Sequence, residues 1–361
     1  MIASETIIAR RPDQAIFEGV LLGTAVGDAL GLPAENLSPG RIRRLWNGEW
    51  KMRFFFGRGM ISDDTEHTLM VAQSLLSHSD NPEAFQHSLA WKFRWWFAGL
   101  PGGVGLATAK ACLKLWIGFP PGRSAVNSAG DGPAMRSAIL GAFFADNPRR
   151  RREFVLASSR LTHKGWKAET AALAIGEAVA LAVATPGRLE VSQLFEALRL
   201  LSREEEWQEC LEKMESALKR NDPVQEFAHS LGSNNGVSGY ALHAVPVALY
   251  AWCRYQSDFR SALIAVLECG GDTDTVGAMV GALCGASCGP DGIPQEWLDA
   301  VIEWPRSIEF MRTVARRLAE QKKCPQPLGE IRYFWPGLVL RNMMFLVIVI
   351  LHGFRRLLPP Y

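Results

Sequence analysis

Two ridges of glycine constrain this chain more than any other feature. Gly19, Gly23, Gly27 and Gly31 recur every fourth residue through the apolar run 16–31, and Gly277, Gly281, Gly285 and Gly289 repeat the spacing near the other end. Positions four apart lie along one face of a helix. Each glycine in a helix interior costs about 1 kcal/mol relative to alanine, so two such ridges require a packing reason. The spacing predicts two helices whose glycine faces admit another helix or backbone unusually closely, one ridge against the other being a candidate pairing. Membrane dimer helices use the same spacing, but Glu18 and Asp28 interrupt the first run and the second is too short to span.

The remaining pattern is dominated by alanine-rich segments of helical period. The only β-branched run without that period is Leu346–Leu351, so the expected fold class is all-α. With 361 residues, 48% of them hydrophobic and 21% charged, the chain can bury one large core or two ordinary ones. A net charge of +2 gives no general argument for nucleic acid, and Arg149 to Arg152 read as a solvated helix face. Seven cysteines without a C-x-x-C pair fit a reducing compartment, and Cys284 and Cys288 have no nearby histidine to complete a zinc pattern. The opening residues lack a signal-peptide pattern, so the expected location is cytoplasmic. Near the end, Met343–Leu351 is apolar between Arg341 and Arg355-Arg356. That run falls short of the roughly 20 residues a bilayer needs. A buried helix is favoured over a peripheral membrane anchor.

Chemistry concentrates at helix starts. Gly270-Gly271-Asp272-Thr273-Asp274-Thr275 precedes the second ridge. In an extended segment Asp272 and Asp274 point to one side, and such oxygens bind hard cations like Mg²⁺. An acidic N-cap is the alternative, and these six residues leave both open. Ser62-Asp63-Asp64-Thr65-Glu66 repeats the arrangement before another helical pattern. Capping needs only one such side chain. Two copies, with Glu35 on the loop after Asp28 and Pro33, read as parts of one metal site in which divalent cations let carboxylates tolerate one another. Glycine loops at 99–105 and 127–132 can present N–H groups to a phosphate, although most such loops are simply turns. His163 opens a helix as either a substrate contact or a structural residue. The aromatics of 40–60 and 82–98 read as core.

Taken in order, these motifs resemble the ADP-ribosylglycohydrolase family, which includes the dinitrogenase-reductase-activating glycohydrolases. The matching residues are Gly23-x₃-Gly27-Asp28-Ala29-Leu30-Gly31-x-Pro33-x-Glu35, Ser62-Asp63-Asp64-Thr65, Gly130-x-Gly132-x-Ala134-Met135-Arg136, Thr162-His163, Gly239-Tyr240 and Gly270 to Thr275. The resemblance implies a compact, all-α orthogonal bundle over residues 1–330, with 331–361 as an apolar and basic tail helix outside it. It implies two Mg²⁺ (or Mn²⁺) ions held by Glu35, Ser62, Asp63, Asp64, Asp272, Asp274 and Thr275. It also implies hydrolysis of the glycosidic bond between ADP-ribose and a protein side chain or small acceptor. Glu35 or one of Asp63, Asp64 and Asp274 would activate water. Gly103, Gly105, Ser128, Gly130, Asp131 and Gly132 would hold the pyrophosphate, with His163 and Tyr240 lining the nucleotide or ribose pocket.

Three positions depart from the family pattern. Ser62 stands where threonine is usual and keeps the oxygen. Gly130-Asp131-Gly132 replaces a frequent Gly-Asn-Gly and puts a negative charge near the expected phosphate. Gly103-Val104-Gly105 occupies the place of an Asp-Ile-Gly motif whose aspartate faces guanidinium in arginine-specific members. The competing readings are a hydrolase of another nucleotide-linked glycosyl substrate and a non-catalytic ADP-ribose-binding or scaffold protein. The second would be expected to lose acidic ligands, all of which are present here.

Overall fold

The two glycine ridges face each other. In the computed structural model, which describes residues 10–185, 187–256 and 258–356, the helices Asp13–Gly31 and Thr273–Cys288 pair with Gly19 against Gly285, Gly23 against Gly281 and Gly27 against Gly277. The N-terminal lead before residue 10 and the tail end at 357–361 lie outside the described residues. This antiparallel contact is backbone on backbone. A Cβ on Gly23 would stand 2.1 Å from the Gly281 carbonyl oxygen, and one on Gly281 would stand 2.0 Å from that of Gly23. Each carbonyl thus lies against the opposing Cα, a weak C–H···O geometry that recurs where helices pack closely. The ridge ends at Gly31, which meets the Thr273 carbonyl, and Thr273 Oγ1 donates to the Gly31 oxygen at 2.8 Å.

Around this pair the described residues form 19 α-helices and one two-residue parallel pairing, Val126–Asn127 with His163–Lys164. The fold is all-α. Asp63–His78 and Ile308–Lys323 pack on Asp13–Gly31, while Trp166–Ala184, Ala241–Tyr255 and Phe259–Leu267 pack on Thr273–Cys288. One contiguous apolar core joins them. All seven cysteines are unpaired.

Element boundaries shifted where side chains close turns that periodicity does not record. The span 190–232 holds three helices, and Gln208 Nε2 closes the turn between the first two by donating to the carbonyls of Arg199 and Ser202 at 3.1 and 2.6 Å. Arg151, read as part of a solvated face, is buried and forks onto Glu177 at 2.7 Å. Leu346–Leu351 is helical despite its β-branched residues, since tertiary packing overrides local propensity.

The C-terminal helix Trp335–Arg355 docks by one face. Phe345 and Ile348 are buried with Leu32, Phe54 and Met60, and Leu338 is buried as well, whereas Leu340, Met343, Val347 and Ile350 are exposed. Its 21 residues are by length and composition enough to cross a membrane, which the shorter apolar run at its centre understates; Asp13–Ala34 passes the same test as a core helix. Polar anchors fix the docked face. Arg341 pairs with Glu303 at 2.7 Å, Asn342 Nδ2 donates to the Gly99 carbonyl at 2.8 Å, and the His352 ring bonds the Phe54 carbonyl at 2.7 Å. Arg341 and Glu303 are both buried, so Arg341→Ala strands a charge and is expected to cost about 3–5 kcal/mol in urea unfolding. The double substitution Arg341→Met, Glu303→Leu should recover most of that loss. A single variant as stable as the parent would refute the anchor.

Candidate active site

The glycine zipper delivers Asp28 to the start of another helix. Its buried carboxylate accepts from the Ser62 N–H at 3.0 and 2.9 Å, from the Thr65 N–H at 3.2 Å and from Thr65 Oγ1 at 2.6 Å. These N–H groups belong to the first turn of Asp63–His78, which has no intrahelical acceptors for them. Asp28 therefore caps that helix from a distant segment, together with Ser62 Oγ, which accepts from the Asp64 N–H at 3.3 Å and donates to Asp64 Oδ2 at 3.0 Å. Burial pushes the Asp28 carboxyl up to about 6 against the pull of these hydrogen bonds. Sequence reasoning quoted Asp28 in a motif but gave it no role, because nothing local to Gly27–Gly31 points at residue 62.

Three loops are then laced together. Gly270 and Gly271 adopt φ of +68° and +82°. The Gly271 N–H donates to the Leu37 carbonyl at 2.8 Å, and its oxygen accepts from the Asn36 N–H at 2.7 Å. On the other side the Val237 N–H donates to Gly270 at 2.9 Å and the Asp272 N–H to Val237 at 2.7 Å. A Cβ on Gly271 would sit 2.0 Å from the Val237 oxygen, so only glycine fits. Nearby, the Asp131 N–H donates to Gly239 at 3.1 Å and the Ala241 N–H to Ala129 at 2.8 Å. Residues far apart in sequence thus share one rim.

Glu35, Ser62, Asp63, Asp131, Asp272, Asp274 and Thr275 line a cleft of about 630 Å³. Asp64 stands behind them, its Oδ2 also taking a 3.3 Å bond from Thr275 Oγ1. Burial, and then mutual repulsion, raises these carboxyls well above their ordinary value: Asp64 feels Asp28 and Asp63, Asp274 feels Glu35 and Asp272, and Asp131 feels Asp272. Asp64 Oδ1, Asp274 Oδ1 and Asp131 Oδ2 are buried with no hydrogen-bond partner. Leaving such an oxygen unsatisfied costs about 1–3 kcal/mol. Among the described residues no three His, Cys, Asp or Glu side chains close on one point by themselves. The donor set also includes the hydroxyls of Ser62 and Thr275, and hard cations keep positions for water or substrate. All-oxygen donors suit Mg²⁺ or Mn²⁺ better than zinc.

The opposite wall is built from the glycine loops. Gly103 (φ +77°) would bring a Cβ 3.8 Å from Asp63 Oδ1. Gly105 is the N-cap of Leu106–Trp116 with no side-chain cap, so that helix start carries unsatisfied N–H groups where Gly105, Leu106 and Thr108 line the cleft. The 128–132 loop differs. The Gly130 N–H is taken by Ser128 Oγ at 3.3 Å and the Asp131 N–H by Gly239, so two of the expected phosphate donors are committed. The Asp131 carboxyl hydrogen-bonds that of Asp272 and joins the acidic group. His163 lies beneath this loop, its Nε2 3.1 Å from where a Cβ on Gly130 would be. Thr162 Oγ1 accepts from Arg136 at 2.7 Å and contacts His163 Nδ1 at 2.9 Å. Burial and Arg136 hold His163 down to about 3, hence neutral. The Tyr240 backbone pairs with Gly130, while its hydroxyl bonds Lys167 and Glu206 outside the cleft lining. Phe345 and Val349 of the C-terminal helix complete the wall, a part that sequence reasoning left outside the site.

An all-α bundle whose laced loops gather buried acids beside an open helix start defines a class of hydrolase. The sequence model of the ADP-ribosylglycohydrolases matches residues 10–327, and the chain belongs to that family of glycosidic-bond hydrolases. It is 32% identical over 314 residues to an uncharacterized protein of Archaeoglobus fulgidus, covering 84% of this chain and 96% of that one. It is 28% identical over 290 residues to the ADP-ribosyl-dinitrogen-reductase glycohydrolase of Rhodospirillum rubrum, covering 78% and 88%. A solved ADP-ribosylglycohydrolase-related protein complex superposes with a TM-score of 0.59 at 26% identity, over 86% of this chain and 99% of that one.

Proposed function

We propose that this enzyme hydrolyses the N- or O-glycosidic bond joining ADP-ribose to a protein side chain or small acceptor. In this reading two Mg²⁺ (or Mn²⁺) ions are held by Glu35, Ser62, Asp63, Asp64, Asp272, Asp274 and Thr275. One observation carries it: buried oxygens of Asp64 and Asp274 have no partner although they sit among like charges, which a divalent cation neutralises. Bound ions would supply charge stabilisation and orientation of the ribose hydroxyls. The open helix start at Leu106 offers N–H donors to the pyrophosphate. Neutral His163 presents its Nε2 edge beside it. Glu35, raised by burial and then by Asp272 while accepting from Asn36 at 3.0 Å, is the base that takes the proton of the attacking water. The Rhodospirillum rubrum relative supports a modified protein as substrate. The Gly103-Val104-Gly105 departure directs attention to linkages other than arginine. Seven unpaired cysteines support a cytoplasmic setting.

Purified protein should release ADP-ribose from a panel of differently linked substrates with Mg²⁺ or Mn²⁺ and lose that activity in chelator. Undiminished release in chelator would defeat the metal mechanism. Proton linkage gives a second check. The folded carboxyls hold protons that their unfolded counterparts release, so metal-free stability falls as pH rises from the ordinary carboxylate range through Asp28 at about 6 and beyond. Added Mg²⁺ should therefore raise the melting temperature more at about pH 8 than at about pH 5, because protons compete for the same oxygens. Equal shifts at both pH values would count against cation binding at these residues.

A further inference from the structure

A second cavity, of about 770 Å³, shares no residue with the acidic cleft and lies along Leu69, Met70, Gln73 and His78 of Asp63–His78. Its walls are Trp91, Trp95 and Trp96 of Pro82–Ala98, Phe310 of Ile308–Lys323, and Tyr333 and Trp335. Tyr333 belongs to a strap beyond residue 327, where the family match ends, and Trp335 opens the C-terminal helix that follows it. That strap is firmly tied. Gln73 makes both hydrogen bonds with the Ile331 backbone at 2.8 and 2.9 Å, the Gly329 N–H donates to Leu76 at 3.0 Å, and Arg317 donates to Leu328 at 2.8 Å. The rings brace one another, Trp95 against Trp335 at 5.6 Å and Phe310 against Tyr333 at 5.7 Å, both edge-on. The cavity is thus held open by the strap, and its volume is that of sites that enclose small organic ligands.

Two of its polar side chains, Lys92 and Tyr333, keep a free donor. The Lys92 ammonium, only 14% exposed, donates to Ser88 Oγ at 2.9 Å and pairs with Glu330. An ammonium has three donors, so one remains. The Tyr333 hydroxyl makes no hydrogen bond among the described residues. Burial also lowers the Lys92 pKa, a cost that a bound anion would offset. Among the described residues Glu330 is the one acid lining the cavity, and Lys92 already engages it.

We propose that this cavity is a second binding site, for a planar aromatic molecule carrying a carboxylate or a similar anionic acceptor. The rings stack against the ligand body, and Lys92 and Tyr333 take its anionic group. Isothermal titration with naphthalene-2-carboxylate and the neutral naphthalene-2-methanol tests it. The carboxylate should bind saturably, one to one, and at least about tenfold more tightly than the alcohol, as one charged hydrogen bond warrants. Lys92→Met should remove that preference while leaving the alcohol unaffected. Ala84→Trp, at a half-buried position lining the cavity, should fill it and abolish both heats without lowering the melting temperature. No saturable binding to the parent, equal affinity for the two probes, or binding that survives Ala84→Trp in a folded protein would overturn the proposal.

Discussion

Asp274→Asn is expected to abolish hydrolysis and at the same time stabilise the metal-free protein at alkaline pH. Asp274 lines the cleft with one buried oxygen lacking any partner. A cation ligand at the reacting centre contributes several kcal/mol of charge stabilisation, so kcat/KM should fall by at least about 10³-fold. The stability effect has the opposite sign. Burial, Glu35, Asp272, Asp64 and Asp28 all raise its carboxyl, so the folded protein is penalised once pH drives that proton off. Asparagine carries no such penalty. The melting temperature of the variant should exceed that of the parent above the raised carboxyl value and match it in acid. A variant that keeps activity within about tenfold of the parent would exclude Asp274 from the site. A variant that is equally stable at all pH values would show that its charge is compensated within the protein.

Gly23→Ala is expected to be among the most damaging methyl groups that can be added to the core. The new Cβ would stand 2.1 Å from a carbonyl oxygen of the facing helix, and backbone cannot rotate away as a side chain can. Overpacking costs about 1–3 kcal/mol and occasionally more, and a contact with backbone puts this site at the upper end. It also pushes apart the two helices that place Asp28 and Thr273. Gly40→Ala is the matched control, in the helix Pro39–Trp46 with nothing within 4 Å of the added carbon. That change should be neutral or stabilising by up to about 1 kcal/mol through helix propensity. Denaturant melts of the pair, with solubility recorded, decide it. A Gly23→Ala protein as stable as the parent would mean that the ridges do not hold the helices together.

Much of this protein was legible in its residues. Glycine at every fourth position has few physical justifications, so the ridges announced a close helix pair, and the all-α class followed from the helical period. The acidic segments at 62–64 and 272–275 were visible because adjacent carboxylates repel and cap poorly. What escaped was everything that depends on which distant segment lies opposite. Asp131 read as part of a phosphate loop, yet the pairing of residue 131 with Gly239 turns its carboxyl to Asp272. Tyr240 sits in the expected motif, but Lys167 and Glu206 capture its hydroxyl. Arg151 reads as one of four surface arginines until Glu177 arrives beside it.

Local periodicity and residue chemistry determined the helices, the glycine contact surfaces and the candidate oxygen ligands, because those properties act within a few residues. Only the tertiary structure decided that Asp28 caps a helix whose N-cap, Ser62, lies 34 residues later, that the C-terminal helix walls the cleft through Phe345 and Val349, and that a separate aromatic cavity opens against Pro82–Ala98. The reason is geometric. These contacts depend on the register of the glycine zipper and on loops laced by backbone hydrogen bonds, and neither is encoded within any one segment.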